Sequence, residues 1–396
     1  MSPRVLLVAG VLGVSACYVG LDEDALVSSS GAGSSGGGPT GATSNSGGPG
    51  GPGSDSDAPT SAGPGSSAGS TDMSAGPGSD GASTGPESTG AVLTGGPETS
   101  GPGTSGPGTS GPGTSDSGST SGDPPPDEAA LLCERWNGDR AQLGEGSWSG
   151  DVNSCNKGAV SQDGRDNALR LVNLYRWIAE LPPVAEDATK TGKAQACALM
   201  MHANGQLSHS PPMNWQCYSA EGAEAAGKSN ISGGAGVFSV DLYMIDVGNE
   251  TTMGHRRWIL SNSLGPIGLG STTQYSCLFV IGGAGNAGKQ WLAWPPPGLV
   301  PLQAMHVDTV GWSDVDLAGW TVQSDSIDLN SATVSVKEGG VDKPVTVNAL
   351  GGGYGSSSAV RFVPQGWKVQ AGKTYDVKLG GVNPAIAYSV TIVDCG

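Results

Sequence analysis

A long segment near the N-terminus limits how much of this chain can fold. Gly, Ser, Thr and Pro dominate residues 28–126, and the repeat T-S-G-P-G runs through residues 99–115. Such a segment has too few large apolar side chains to offset the conformational entropy that folding would cost. We therefore predict that residues 18–126 form a disordered linker with an r.m.s. reach of roughly 50–60 Å, and that order begins near Asp127.

The negative net charge of the chain argues against partners that are themselves anionic. The chain has 396 residues and a formal net charge of −17. Nucleic acids and anionic membrane surfaces attract basic proteins rather than acidic ones. We therefore expect no nucleic-acid partner. Beyond the N-terminus, no stretch of the sequence is apolar over the length that crosses a bilayer.

The first residues have the pattern of an export signal. Arg4 precedes an apolar run at residues 5–14, and small residues lead to Cys17. This predicts a signal peptide at residues 1–17. Residues 14–17 also resemble a bacterial lipobox, which implies that Cys17 is lipidated; the alternative is an ordinary signal peptide. Several acyl chains on Cys17 would hold the protein stably at the bacterial membrane, so we expect an extracytoplasmic lipoprotein of the cell surface or periplasm.

The remaining cysteines predict disulfide bonds, because an even number in an exported protein is typical of them. Six cysteines allow fifteen connectivities. A zinc-thiolate site is poorly supported, because no C-x-x-C pair occurs. Pairing each cysteine with its neighbour in sequence gives Cys133–Cys155, Cys197–Cys217 and, for the remainder, Cys277–Cys395.

Apolar spacing predicts a mixed domain at residues 127–298. Helical periodicity occurs at residues 128–135, 168–178, 188–207 and 237–247. Short apolar runs predict strands at residues 264–269, 277–281 and 290–294. The glycines of residues 283–288 match G-x-G-x-x-G, but they lie between two predicted strands. We therefore predict a hairpin rather than a dinucleotide site.

The pattern changes after the proline-rich residues 295–298. Alternating apolar residues predict an Ig-like β-sandwich at residues 299–396. The predicted strands cover residues 320–323, 332–337, 345–348, 360–363, 375–379 and 387–393. A bond between Cys277 and Cys395 would link this domain to the preceding one.

Three motifs in the first domain carry a resemblance. In chain order they are L-V-N-L-Y-R at residues 171–176, L-S-H-S at residues 207–210, and G-H-R-R-W-I-L at residues 254–260, which is followed by I-G-L-G. Together they resemble the CAP superfamily of cysteine-rich secretory, antigen 5 and pathogenesis-related proteins, and the bacterial branch above all. The resemblance spans residues 168–270. It implies a fold of the α+β class, a CAP-like α-β-α sandwich ahead of the Ig-like β-sandwich.

The resemblance also implies a cleft between His209 and His255. Two imidazoles from separate elements can bind zinc or a similar divalent ion, although zinc sites usually have three or four protein ligands. The sequence departs from the family where a G-E-N motif is usual, since Ser229 stands at the position of the glutamate. The nearest substitutes are the loop carboxylates Glu221 and Glu224, with the helix-end carboxylate Asp246 near a second acidic position.

The two neighbouring arginines receive no site role. We expect either Arg256 or Arg257 to hold the last carbonyls of a neighbouring helix or to pair with Asp246, and the other to be exposed. His202 is expected to be a helix residue, and His306 has no evident partner.

The best-supported function is a binding protein whose cleft holds a metal ion, a lipid or an envelope component such as the cell wall. The missing glutamate argues against an enzyme, because a general base must lie within hydrogen-bond reach of its substrate. One alternative is a metal-assisted hydrolase or peptidase that uses His209, His255 and either Glu221 or Glu224. Another is a structural or adhesion protein that acts through the β-sandwich.

Overall fold

The computed structural model describes residues 126–396. Cys17 and nearly all of the predicted linker lie outside the described residues. The described helices are α1 (Pro126–Arg140), α2 (Gln162–Ile178), α3 (Ala188–Asn204), α4 (Ala220–Ala226), α5 (Gly236–Ile245), α6 (Gly254–Ile259), α7 (Leu302–Met305) and α8 (Val315–Ala318). None of these helices has the length and apolar character needed to cross a membrane.

Local sequence explains where helix α3 begins and ends. The Asp187 carboxylate accepts hydrogen bonds from the backbone N–H groups of Thr189 and Lys190, which the helix itself cannot satisfy. Gly205 then takes a left-handed conformation, with φ of 60°, and stops the helix. The predicted helix is confirmed, but it ends at Asn204 rather than at residue 207.

A three-stranded antiparallel sheet lies at the centre of the first domain. Its order is β1 (Ser229–Ser232), β3 (Ser276–Phe279) and β2 (Gly268–Ser271). Cys277 and Phe279 share a core with α3 and α4, whereas Leu278 on the opposite face joins the core of α2 and α5. This is the α-β-α arrangement that the resemblance implies, and the α+β fold class is confirmed.

The remaining strands form two sheets that face each other. They are β4 (Leu292–Trp294), β5 (Gly298–Pro301), β6 (Trp320–Ser324), β7 (Thr333–Glu338), β8 (Val341–Lys343), β9 (Val345–Leu350), β10 (Ser358–Pro364), β11 (Thr374–Gly380) and β12 (Ile386–Val393). One sheet has the order β4-β6-β10-β9 and the other β5-β12-β11-β7-β8. Across the space between them, the rings of Trp320 and Tyr375 lie 6.1 Å apart. All six predicted strands are present.

The predicted hairpin between residues 277–281 and 290–294 is wrong. Strand β3 pairs with β1 and β2, whereas β4 pairs with β6 in another sheet. The glycine-rich loop between them packs on the segment before β2 instead of forming a tight turn. A Cβ atom on Gly285 would lie 2.1 Å from the Leu264 carbonyl oxygen, so only glycine allows this close approach.

The two parts of the described chain share one hydrophobic core. Buried side chains of α1, α2, α5 and α6 join those of both sandwich sheets in a single cluster. The ring of Trp294 on β4, for example, lies 5.5 Å from the ring of Tyr175 on α2. Residues 126–396 accordingly belong to one compact unit.

The disulfide bonds differ from those predicted. They are Cys133–Cys395, Cys155–Cys217 and Cys197–Cys277. All three predicted pairs are wrong, because packing rather than sequence distance brings the sulfur atoms together: Cys197 lies on the face of α3 that covers Cys277 on β3. Three disulfides indicate an extracytoplasmic protein.

Candidate functional site

His255 lies at the start of α6, where a buried carboxylate orients its ring. The Nδ1–H group of His255 donates to Oδ1 of Asp246 over 2.8 Å. Asp246 ends helix α5 in a left-handed conformation and is 1% exposed. Its Oδ2 accepts from the backbone N–H of Arg256 over 3.2 Å. The carboxylate therefore fixes both the ring and the backbone of the segment that carries it.

Further hydrogen bonds hold the Asp246–His255 pair. Asn249 donates from Nδ2 to Oδ1 of Asp246 over 3.1 Å, and Thr252 donates to Oδ1 of Asn249. From strand β1, Asn230 donates from Nδ2 to the carbonyl oxygen of His255 over 3.0 Å. Asn230 follows the position of the missing glutamate in the G-E-N motif, so the motif match itself could have identified it as a site residue.

The second ring nitrogen of His255 is buried, and the residue also lines a small cavity. Nε2 is buried and has no hydrogen-bond partner within residues 126–396. The cavity has a volume of about 20 Å³, enough for one water molecule. The residues that line the cavity are largely apolar, and one of them is Trp312, whose side chain is exposed. The other lining residues are Ile231, Ser232, Leu242, Tyr243 and Val247.

His209 lies in the loop after α3 and is held by the end of α4. Its Nδ1–H group donates to the carbonyl oxygen of Ala226 over 2.8 Å, and its Nε2 is buried. Burial above all, together with the nearby His255, lowers the pKa of His209 to about 4, although the hydrogen bond to Ala226 acts to raise it. The ring is therefore neutral at physiological pH, and neutral imidazole is the form that binds metal ions.

Glu221 and Glu224 have lysine partners on the surface. Glu221 pairs with Lys157 over 2.6 Å. Glu224 pairs with Lys193 over 2.7 Å and with Lys228 over 3.1 Å, and hydrogen bonds from these two lysines lower the pKa of its carboxyl group. Of the three predicted acids, Asp246 is thus the one that makes a hydrogen bond to a predicted histidine, His255.

Both arginines after His255 are buried. Arg256 donates from its guanidinium to the carbonyl oxygens of Met244 and Ile245, as expected of an arginine that holds the end of a neighbouring helix. Arg257 is 1% exposed and donates to the carbonyl oxygens of Gly351 and Ser356. The predicted exposure of the second arginine is wrong, because the β-sandwich covers α6.

A second group of residues could hold a metal ion. One ligand atom from each of His306, Asp314 and Asp316 lies within 4.8 Å of the others. Asp316 accepts from His306 and from Trp320, and Asp314 lies 2.5 Å from the ammonium group of Lys368. The expectation that His306 lacks a partner is wrong. The group already has charged and polar partners for its carboxylates, which a metal ion would have to displace.

A known protein family matches part of the chain. The family model described as CAP, cysteine-rich secretory protein family, matches residues 169–282. This range contains His209, Asp246 and His255 and ends before strand β4. Neither the curated proteins nor the solved structures include a significant match to the chain.

Proposed function

Because the chain carries a CAP domain over residues 169–282, we propose that it is an extracytoplasmic binding protein that holds a divalent metal ion such as zinc at His209 and His255. The observation that supports this most strongly is the state of His255. Its Nδ1–H group is held by Asp246, and its buried Nε2 has no partner within residues 126–396. Histidines that bind metals characteristically donate the other ring N–H group to a carboxylate or a backbone carbonyl.

His209 fits the same role. Its Nδ1–H group is bound to a backbone carbonyl, and its low pKa keeps protons from competing with a metal ion at neutral pH. Two histidines supply fewer ligands than zinc usually takes from a protein. A bound metal ion would therefore keep coordination positions for a ligand from outside, such as an envelope component or a lipid headgroup.

We propose binding rather than hydrolysis. The hydrolase alternative needs a carboxylate that is available as a general base, but Glu221 and Glu224 are paired with lysines and Asp246 is occupied in orienting His255. The proposal extends to location: Cys17 anchors the protein to the bacterial membrane through lipid, and the linker lets the folded part reach ligands in the envelope. The disulfides support the extracytoplasmic part of this proposal.

Calorimetric titration of zinc into the oxidised full-length chain tests the proposal. We expect saturable binding of one ion, weakened at least about tenfold in His209→Ala and in His255→Ala. His306→Ala is the matched control, because it removes the histidine of the second group that could hold a metal. Absence of binding to the parent chain, or loss of binding in His306→Ala alone, would refute the proposed site.

A further inference from the structure

The residue after His255 connects the candidate site to the β-sandwich. The guanidinium of Arg256 is fully buried and has no carboxylate partner within residues 126–396. It donates from Nε to the Met244 carbonyl over 2.6 Å and from Nη2 to the Ile245 carbonyl over 2.7 Å. These carbonyls belong to the last turn of α5, which cannot satisfy them within the helix.

That helix end carries the carboxylate that orients His255. Asp246 directly follows Ile245, and its two oxygens accept from Nδ1 of His255 and from the backbone N–H of Arg256. Arg256 therefore contacts the Asp246 segment twice, with its side chain on the preceding carbonyls and with its backbone on the carboxylate. A shift of the guanidinium would move the end of α5 relative to α6 and change the Asp246–His255 geometry.

The third acceptor of Arg256 comes from the sandwich. Nη1 donates to the carbonyl oxygen of Gly319 over 2.7 Å, and Gly319 directly precedes strand β6. Gly319 has a φ of +103°, and a Cβ atom on it would lie 2.7 Å from Nε of Arg361. Glycine is thus required for this carbonyl to point at Arg256. The same C-terminal part of the chain also supplies Trp312 to the cavity that His255 lines.

We propose that Arg256 is a positioning residue through which the β-sandwich sets the orientation of the Asp246–His255 pair. Its planar guanidinium donates to the carbonyl oxygens of two helix residues and one sandwich residue at the same time. The ammonium group of a lysine, on a flexible side chain, cannot reproduce this geometry. The consequence for metal affinity rests on the proposed function, whereas the effect on His255 does not. The sandwich is then a part of the site rather than an independent adhesion module.

Three variants of the full-length chain test this inference. Arg256→Lys removes the planar guanidinium. Gly319→Ala displaces the carbonyl group of residue 319 in the sandwich without altering Arg256. Arg257→Lys is the matched control, because Arg257 is also buried and also joins α6 to the sandwich, but its acceptors are on Thr252, Gly351 and Ser356 and not on the end of α5. A merely structural role would make the Arg256 and Arg257 variants behave alike.

The main measurement is solvent exchange of the His255 Nδ1 proton in a ¹⁵N-histidine-labelled chain. The sequence contains only four histidines, so a His255→Gln spectrum assigns the signal. We expect exchange at least about tenfold faster in Arg256→Lys and Gly319→Ala than in the parent, and a change below about twofold in Arg257→Lys. Zinc affinity should fall about tenfold in the first two variants, in the range for residues that support a metal ligand.

Each outcome either supports or overturns the positioning role of Arg256. Unchanged exchange in Arg256→Lys, or equal acceleration in Arg257→Lys, overturns the positioning role. If Arg256→Lys does not fold, Gly319→Ala decides through the same proton signal. If the parent chain binds no zinc, the proposed function fails, but the exchange rates still support or overturn the link between the sandwich and His255.

Discussion

At the scale of single residues, the site depends on how two imidazoles are held rather than on how many acids surround them. Asp246 is 1% exposed and contacts His255 at 2.8 Å, whereas Glu221 and Glu224 neutralise lysines on the surface. A carboxylate that orients a metal-binding histidine contributes to affinity without touching the metal ion. Asp246 should therefore matter for binding and the two glutamates should not.

Asp246→Asn tests this difference. The asparagine keeps the size of the side chain but removes the charge that fixes the His255 Nδ1–H group, so we expect zinc affinity to fall about 10–100-fold. Glu221→Gln and Glu224→Gln are matched controls and should bind as the parent does. Calorimetry measures all three, and equal losses in the glutamate variants would contradict the role assigned to Asp246.

The low pKa of His209 predicts a dependence of stability on pH. Its pKa is about 4 in the folded protein and about 6.5 in an unfolded chain. Between these values the unfolded state binds the additional proton, so stability decreases as the pH falls from about 6.5 to about 4. The loss should be about 2 kcal/mol after allowance for the partial exposure of His209.

Urea unfolding in the presence of a chelator measures this effect. Carboxylates also titrate in this range, so the decisive quantity is the difference between the parent and His209→Gln at pH 7 and pH 4.5. We expect the variant to lose less stability on acidification. Parallel pH profiles for the two proteins would show that His209 is not held neutral by burial.

At the scale of elements, close packing of α3 on β2 forms the layer from which the His209 loop extends. A Cβ atom on Gly270 of β2 would lie 2.1 Å from the backbone of Ala194 on α3. Alanine at residue 270 would push the helix from the sheet, and overpacking of this kind typically costs about 1–3 kcal/mol. The glycine is therefore required by the approach of the two elements.

Gly270→Ala should accordingly lower the free energy of unfolding by about 2–3 kcal/mol. Gly192→Ala is the matched control on α3, since a Cβ atom there would have no neighbour within 4 Å, and alanine should stabilise the helix by about 0.5–1 kcal/mol. Denaturant unfolding compares the two variants. Equal effects on stability would contradict the tight helix–sheet contact.

Local patterns predicted elements well and long-range contacts poorly. Strands such as β11 and β12 follow from alternating apolar residues, because one face of each strand is buried and the other is largely exposed. The disulfide pairs could not be obtained in this way, since Cys133 and Cys395 are 262 residues apart in sequence. The same limit applies to Arg257, whose burial depends on a sandwich encoded about a hundred residues later.

Within the site, the two histidines were predicted from motif resemblance, and Asp246 was predicted from its place near the second acidic position of the family. The sequence could not predict that Trp312 lines the cavity, because this residue lies beyond the matched domain and belongs to no motif. The hairpin prediction failed for a related reason: strand β4 finds its partner β6 in the sandwich. Residues near in sequence were assigned to each other when their partners lay farther along the chain.

At the scale of the whole molecule, the CAP domain and the sandwich fold as one body. They share a core, for instance between Tyr175 and Trp294, and the Cys133–Cys395 disulfide joins α1 to the last residues of the chain. In the chain-entropy model, closing a loop this long contributes about 5 kcal/mol. Neither part should therefore be stable alone.

A truncated chain that ends at residue 298 tests whether the two parts depend on each other for folding. It lacks the sandwich that covers α6 and leaves the guanidinium groups of Arg256 and Arg257 without sandwich acceptors, so we expect no cooperative unfolding transition and no protected His255 Nδ1 proton. The full-length chain is the control. A cooperative transition in the truncated chain, with that proton protected, would mean that the CAP domain is independent.

A zinc-soaked crystal of the protein, measured at the zinc absorption edge, tests directly whether His209 and His255 hold one metal ion. We expect an anomalous peak bonded to Nε2 of both His209 and His255, with zinc–nitrogen distances of about 2.0–2.1 Å. A peak at His306, Asp314 and Asp316 instead, or no peak near His255, would rule out the two-histidine site.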